Sequence, residues 1–377
     1  MPLLSLPPPQ PAIVQSDKKP LPEEVQAVSP SLLWGRSQFI WFRSTDGGKS
    51  WQTLSPPFAF ASGRPLLTAL DSKWVLASSS SFNRLGTELA LSKDGGRTWQ
   101  SWKVPQDIFR VVMETPQRGA ALGGLGDGAA GHTAYSVLRT TDGGQNWTQV
   151  NASASGYLNY PEQKGGQLPQ LGKVNDLHFL SASTGFLAGV TYMDAQPYLY
   201  RTTDGGKNFA EIGHTLPLTQ LERGQVSEWW IPYARGQTVR VWVRFASYQS
   251  GKLTGEHLTT FVSHDSGRSW TRLGTRQSAP SVSISAVVSQ DGLHGLTWAG
   301  PVANDGTLGK LHLTRDGGKT WQAIDAPFRN VQAVQFTFAA VRHGWALAFD
   351  HRHTRTLWRT QDGGLTWQKL YSAGYTE

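Results

Sequence analysis

Apolar and polar positions along this chain alternate in short runs of about four to eight residues, the period expected of half-buried strands. Gly, Asn and Ser bound the runs, as they bound strands. One stretch reads VNDLHFLS (Val174–Ser181), GFLAG (Gly185–Gly189) and YLYRTT (Tyr198–Thr203). Another reads VQAVQF (Val331–Phe336), GWALAF (Gly344–Phe349) and TLWRT (Thr356–Thr360). Near the start, VQAV (Val25–Val28), SLLWG (Ser31–Gly35) and QFIWFRS (Gln38–Ser44) repeat the order. The pattern predicts an all-β chain built from repeated groups of strands.

After each third run comes the same turn. It reads STDGGKSW (Ser44–Trp51), SKDGGRTW (Ser92–Trp99), TTDGGQNW (Thr140–Trp147) and TTDGGKNF (Thr202–Phe209). It recurs as SHDSGRSW (Ser263–Trp270), TRDGGKTW (Thr314–Trp321) and TQDGGLTW (Thr360–Trp367). The acids are Asp46, Asp94, Asp142, Asp204, Asp265, Asp316 and Asp362, spaced by 48, 48, 62, 61, 51 and 46 residues. Known propeller blades repeat every ~40–50 residues. An Asp here accepts N–H bonds within its own turn, and glycine supplies a positive φ at little cost. The aromatic five residues on (Trp51, Trp99, Trp147, Phe209, Trp270, Trp321, Trp367) anchors the next strand. Phe209 replaces Trp in the fourth copy, and Ser266 replaces the first Gly in the fifth.

This S/T-x-D-x-G-x-T/S-W pattern resembles the Asp box, or BNR repeat, of sialidase-like propellers. The resemblance implies a seven-bladed β-propeller with four antiparallel strands per blade and the box between strands three and four. VQAV supplies blade one with its own first strand. Closure then rests on packing of blade one against blade seven, with Ala12–Gln15 as an alternative edge strand. Residues 1–23 are a Pro-rich, flexible segment in this reading, and 24–377 form a single propeller.

Composition narrows the chemistry. Charged residues make up 16% of the chain, and there is no Cys. Thiol nucleophiles, thiolate metal sites and disulfide scaffolds are thereby excluded. No apolar run reaches the ~18 residues of a membrane-spanning helix. A net charge of +8 favours anionic partners. The cations are scattered without a Lys/Arg block, which argues against nucleic acid. The first 24 residues lack the charged and apolar regions of a secretory signal.

The seven box acids are spread round a ring and cannot converge on one substrate. A site belongs instead on the opposite face, where loops join strand two to three and blade to blade. The carboxylates placed there are Asp107, Asp127, Glu162, Asp194, Glu222, Glu256, Asp305 and Asp350. Glycoside hydrolysis needs two of them at a defined separation, which spacing cannot supply. The F/Y-R-I-P motif of sialidases has only the partial matches FRVV (Phe109–Val112) and FRNV (Phe328–Val331). Xyloglucanase-type hydrolases pair two propellers around a cleft, and this chain has one. His351 and His353 lack a third ligand, GGLGDG (Gly123–Gly128) lacks a phosphate-loop Lys, and G-x-S-x-G is missing. No catalytic residue, cofactor or metal is expected.

Binding is the better reading. Arg110 and Arg329 each follow a Phe after a Pro, and Arg64, Lys173 and Arg223 lie near other first-strand entries. A ring of cations there would draw an acidic partner. The long connection Asn151–Gly172 carries Tyr157 and Tyr160, side chains typical of interface anchors. Gly213–Ser227 is also long and leads into Trp229 and Trp230. After residue 25 the chain resembles the photosystem II stability/assembly factor-like group, through its boxes and a V-x-x-(L/V)-x-F … G-(F/W)-x-x-(G/A) lead-in. That resemblance implies a monomeric, non-catalytic scaffold with a basic surface patch and a protein partner, acidic or membrane-associated, in an extracytoplasmic setting. A glycan ligand, or a sialidase-like hydrolase using the central pocket, is the alternative.

Overall fold

The box turn sets the architecture. In each copy the Ser or Thr hydroxyl donates to Asp Oδ1 at 2.7–2.9 Å. The same hydroxyl accepts the N–H of the second glycine at 2.7–2.9 Å. Asp Oδ2 takes a side-chain donor from the fourth residue on, at 2.5–2.7 Å. Burial alone would raise these acids, but the hydrogen bonds outweigh it and hold all seven below the ordinary carboxylate range. At Asp265 the bonds from Ser269 dominate outright. Both turn glycines have positive φ, and Ser266 adopts φ 59° where the fifth copy lacks one.

A computed structural model describes residues 21–37, 40–54, 66–79, 86–124, 135–152, 168, 172–191, 197–223, 225–250, 252–278, 284–289, 291–299, 310–325, 327–328, 331–350 and 354–373. These residues form seven four-stranded antiparallel sheets, each of strands consecutive in the chain. Blade one runs Glu24–Ala27, Leu33–Arg36, Trp41–Ser44 and Gln52–Leu54, with its box between the third and fourth strands. Blade four runs Gly172–Phe179, Gly185–Thr191, Pro197–Thr202 and Ala210–Glu211. Blade seven runs Val331–Phe338, Gly344–Asp350, Arg355–Thr360 and Gln368–Ala373. Neighbouring first strands contact one another, which puts them innermost, around the channel.

In every blade the first box position after the Asp donates its N–H to the turn joining strands one and two, at 2.8–3.0 Å. The boxes therefore share one face with those turns. The connections from strand two to three and from blade to blade share the other. The second box glycine meets the preceding blade. A Cβ built on Gly96 would lie 2.6 Å from Trp34 of blade one. Box aromatics fill the same seams: Trp99 packs on Trp41 and Trp321 on Trp242, each pair at 5.3 Å.

The ring closes between blades one and seven without a shared strand among the described residues. Ala27 N–H donates to Thr337 Oγ1 at 2.9 Å, and Val25 N–H to Gln335 Oε1 at 3.3 Å. Trp345 Nε1–H donates to the Gly47 carbonyl at 2.9 Å. Leu21, Val25, Leu33, Trp345, Leu347 and Leu357 make the apolar part of the seam.

Blade five is the tall one. Its second and third strands, Thr238–Gln249 and Lys252–Ser263, are 12 residues each, against 4 for both in blade one. The 61-residue spacing before its box is spent partly on this hairpin. The remainder lies in the connection from blade four, with a 3-10 turn (Gly213–Thr215) and a one-turn helix (Gln220–Arg223).

The depressed box acids have a consequence for acid stability. A carboxylate below its unfolded value of ~3.9 stabilises the fold above that pH and loses the contribution as pH falls through the folded value. The melting temperature should hold down to about pH 4 and fall below it. Asp204→Asn should cost about 1–2 kcal/mol at neutral pH and flatten the acid slope. Thermal melts from pH 7 to pH 2 would check both, and an unchanged slope would contradict the assignment.

Candidate functional site

The face opposite the boxes carries the connections from strand two to three and from blade to blade, and many of them fall outside the described residues. Asp127, Tyr157, Tyr160, Glu162, Asp194, Asp305, His351 and His353 lie outside the described residues, as do Arg64 and Arg329. Lys173 sits in the first strand of blade four; its side chain is not among those described. Arg110, in the first strand of blade three (Asp107–Met113), donates to Asp176 Oδ1 at 3.3 Å. Asp176 belongs to blade four, and its Oδ2 accepts the N–H of Ile231 in blade five at 2.8 Å. One carboxylate thus ties three consecutive blades together. Burial would raise Asp176, but His178, Arg110 and that N–H hold it below its ordinary range.

Arg223 serves its own connection, donating to the carbonyls of His214 and Leu216 at 3.0 Å. Its neighbour Glu222 accepts Arg272 through both carboxylate oxygens, at 2.7 and 3.1 Å. These bonds and the Thr219 donors overcome burial and hold Glu222 below its ordinary range. Arg272 lies on the outermost strand of blade five (Thr271–Ser278), two residues past the box Trp270, so this pair sits on the flank. Arg110 and Arg223 accordingly occupy different surroundings, each already engaged. Trp229 is buried in the blade core and Trp230 is half-buried.

The other described carboxylates are engaged too. Asp107 accepts the Gly86 N–H at 3.2 Å, and Asp350 accepts the Thr354 N–H at 2.8 Å. Glu256, wholly buried in the third strand of blade five, pairs with Arg244 of the second. Arg276 on the fourth strand is 5% exposed, and burial pulls it down to about 10 against the attraction of Glu256. Sequence reasoning missed this network, Arg244, Arg276 and Asp176 included. The cross-strand register carries the signal, since Glu228, Arg244, Leu258 and Arg276 stand opposite one another.

It missed a second set. Arg43, Arg139, Arg201 and Arg359 each directly precede a box Ser or Thr. Arg43 lies over Trp34 and Arg359 over Trp345, at 5.8 and 5.6 Å from the ring centres. Arg139 lies 3.8 Å from the Phe179 ring of the next blade and pairs with Glu114 at 2.5 Å. In blade five, whose box follows Val262, Arg240 takes over and donates to the Gly317 carbonyl at 3.3 Å. The repeat of an Arg before the box was visible in the sequence.

The channel carries a cavity of about 430 Å³ between the first strands of blades one, two and three, with Gln335 of blade seven. Gln26 crosses it, donating to the Ala69 carbonyl and accepting the Ala69 N–H, both at 3.1 Å. At its edge Arg36 pairs with Glu24 at 2.5 Å, and burial pulls the guanidinium down to about 10.

Repeated boxes, seven four-stranded blades and a central channel make this chain an Asp-box seven-bladed β-propeller. The sequence model of the BNR/Asp-box repeat matches residues 42–53, and that of Sortilin-Vps10 (sortilin, neurotensin receptor 3) matches residues 258–375. A xyloglucanase of Paenibacillus sp is 28% identical across 40% of this chain, an alignment spanning 18% of that protein's length. Among solved structures, YCF48 bound to a D1 peptide is similar at a TM-score of 0.53 and 14% identity, covering 92% of this chain and 94% of that one. An ancestral GH74 enzyme reaches 0.54 at 14% identity, covering 96% of this chain and 48% of that one. These likenesses establish a fold shared by binding proteins and enzymes.

Proposed function

We propose that the chain is a non-catalytic scaffold that binds a protein partner on the face opposite its boxes. The observation that carries this reading is the state of the carboxylates among the described residues. Asp176 and Glu222 are held below their ordinary range, whereas a glycosidase acid must be raised. Asp107, Glu256 and Asp350 are each committed to a donor within the fold. Likeness to a propeller that binds a peptide supports a protein partner. In this reading Arg64, Lys173 and Arg329 supply positive charge, and Tyr157 and Tyr160 supply apolar contact, to an acidic surface. In this reading the propeller acts as a monomer.

Alignment with a xyloglucanase favours a second reading, a glycan-active propeller. Affinity capture from the native host separates the two when run beside reducing-sugar assays on xyloglucan. The double variant Arg64→Glu with Arg329→Glu should lower partner recovery at least about fivefold, with no sugar released by the wild type. Unchanged recovery would remove the basic contact. Sugar release abolished by Glu→Gln at a loop-face carboxylate would establish the enzyme instead.

A further inference from the structure

We propose that the Asp-box face is a second docking surface, fitted to an anionic lipid bilayer. The third residue after the box Asp is an exposed cation in five blades: Lys49, Arg97, Lys207, Arg268 and Lys319. The turns from strand one to two add exposed Lys73, Arg118, Arg235 and Arg342 on the same face. Lys93 and Arg315, just before the box Asp in blades two and six, are exposed as well. With the five arginines tucked between blades, boxes and turns hold sixteen cations against ten carboxylates. Six of the chain's eight excess positive charges therefore lie at this one end of the ring.

The box carboxylates are ionised, and their charge is already counted against the cations. Both oxygens of each box Asp are taken up by donors of its own turn, while the Lys and Arg side chains at the third position extend into solvent. Cations distributed round a whole ring cannot converge on one small ligand. They fit a broad, planar array of negative charge, where each adds independently to attraction. A bilayer fits better than a nucleic acid. Box aromatics are buried or half-buried in the seams, so among the described residues no indole or phenyl ring of a box lies open for bases to stack on. The face offers an aliphatic side chain instead. Leu293, in the turn of blade six whose carbonyl holds the box N–H of Gly317, is 42% exposed near Arg315 and Lys319. An apolar side chain among cations suits the boundary between headgroups and acyl chains. The site lies opposite the proposed partner face and does not rest on that reading.

Co-sedimentation with vesicles tests it. The protein should bind vesicles containing about 30% phosphatidylglycerol and not pure phosphatidylcholine. About 1 M salt should release it, because the screening length shrinks to ~3 Å. Lys49→Glu with Lys319→Glu should weaken binding about tenfold or more. Lys103→Glu with Lys252→Glu carries the same net charge, at a strand and a hairpin tip remote from the boxes, and should change binding less than about twofold. Leu293→Ser should weaken it about threefold, and melting curves would confirm that each variant folds. Equal binding to neutral vesicles, or equal loss in the two double variants, would overturn the proposal. So would duplex DNA displacing the vesicles at matched phosphate concentration.

Discussion

Trp345→Ala is expected to lower the unfolding free energy by about 3–5 kcal/mol. Trp345 is wholly buried at the seam between blades seven and one, where its indole N–H donates to the Gly47 carbonyl at 2.9 Å. Arg359 lies 5.6 Å from the ring centre on the outer side of the same contact. Truncation would leave a cavity, an unpaired carbonyl in the box of blade one and an arginine without its aromatic surface. Denaturant unfolding followed by circular dichroism measures the loss. Trp345→Phe, which keeps most of the volume but not the donor, should cost less than half as much. A loss below about 1 kcal/mol for the alanine variant would mean that the seam does not limit stability.

The second large effect should come from the charged network of blade five. Glu256 has no solvent exposure and pairs with Arg244, whose side chain is 17% exposed. Removing one member of a buried pair typically costs about 3–5 kcal/mol, because the other charge is left desolvated. Glu256→Ala should fall in that range, with Arg276 adding to the penalty. Replacing both members with apolar residues, Glu256→Leu with Arg244→Met, should recover only part of the loss, because Arg276 stays buried without the Glu256 charge. A double-mutant cycle read by urea unfolding gives the coupling directly. Additive losses would show that the two side chains do not act as a pair.

How far the sequence reached differs between fold and site, and the difference has a physical source. The box is a local object, since the hydrogen bonds of its Ser/Thr and Asp side chains span no more than four residues, so every copy can be read from eight consecutive letters. Blade one's first strand was legible because VQAV near the start repeats VQAV near the end. Interactions between blades were harder. Asp176 meets a guanidinium from the blade before and an N–H from the blade after, partners 66 and 55 residues away. Counting spacings marked Arg110 as a cation free to meet a partner; only the assembled ring shows Asp176 beside it. Glu222 was assigned to the loop face because it follows a fourth strand. The connection it rides on packs instead along the outer strand of blade five, where Arg272 receives it.

The seam also bears on what order means in such a chain. Blades one and seven meet through hydrogen bonds, an indole and aliphatic packing, much as blades two and three do, where Trp102 donates to the Gly144 carbonyl. No strand is lent across the junction among the described residues, so nothing structural marks blade one as first. Among the described residues each blade meets two neighbours, so the order of the blades is cyclic although the chain that writes it is linear.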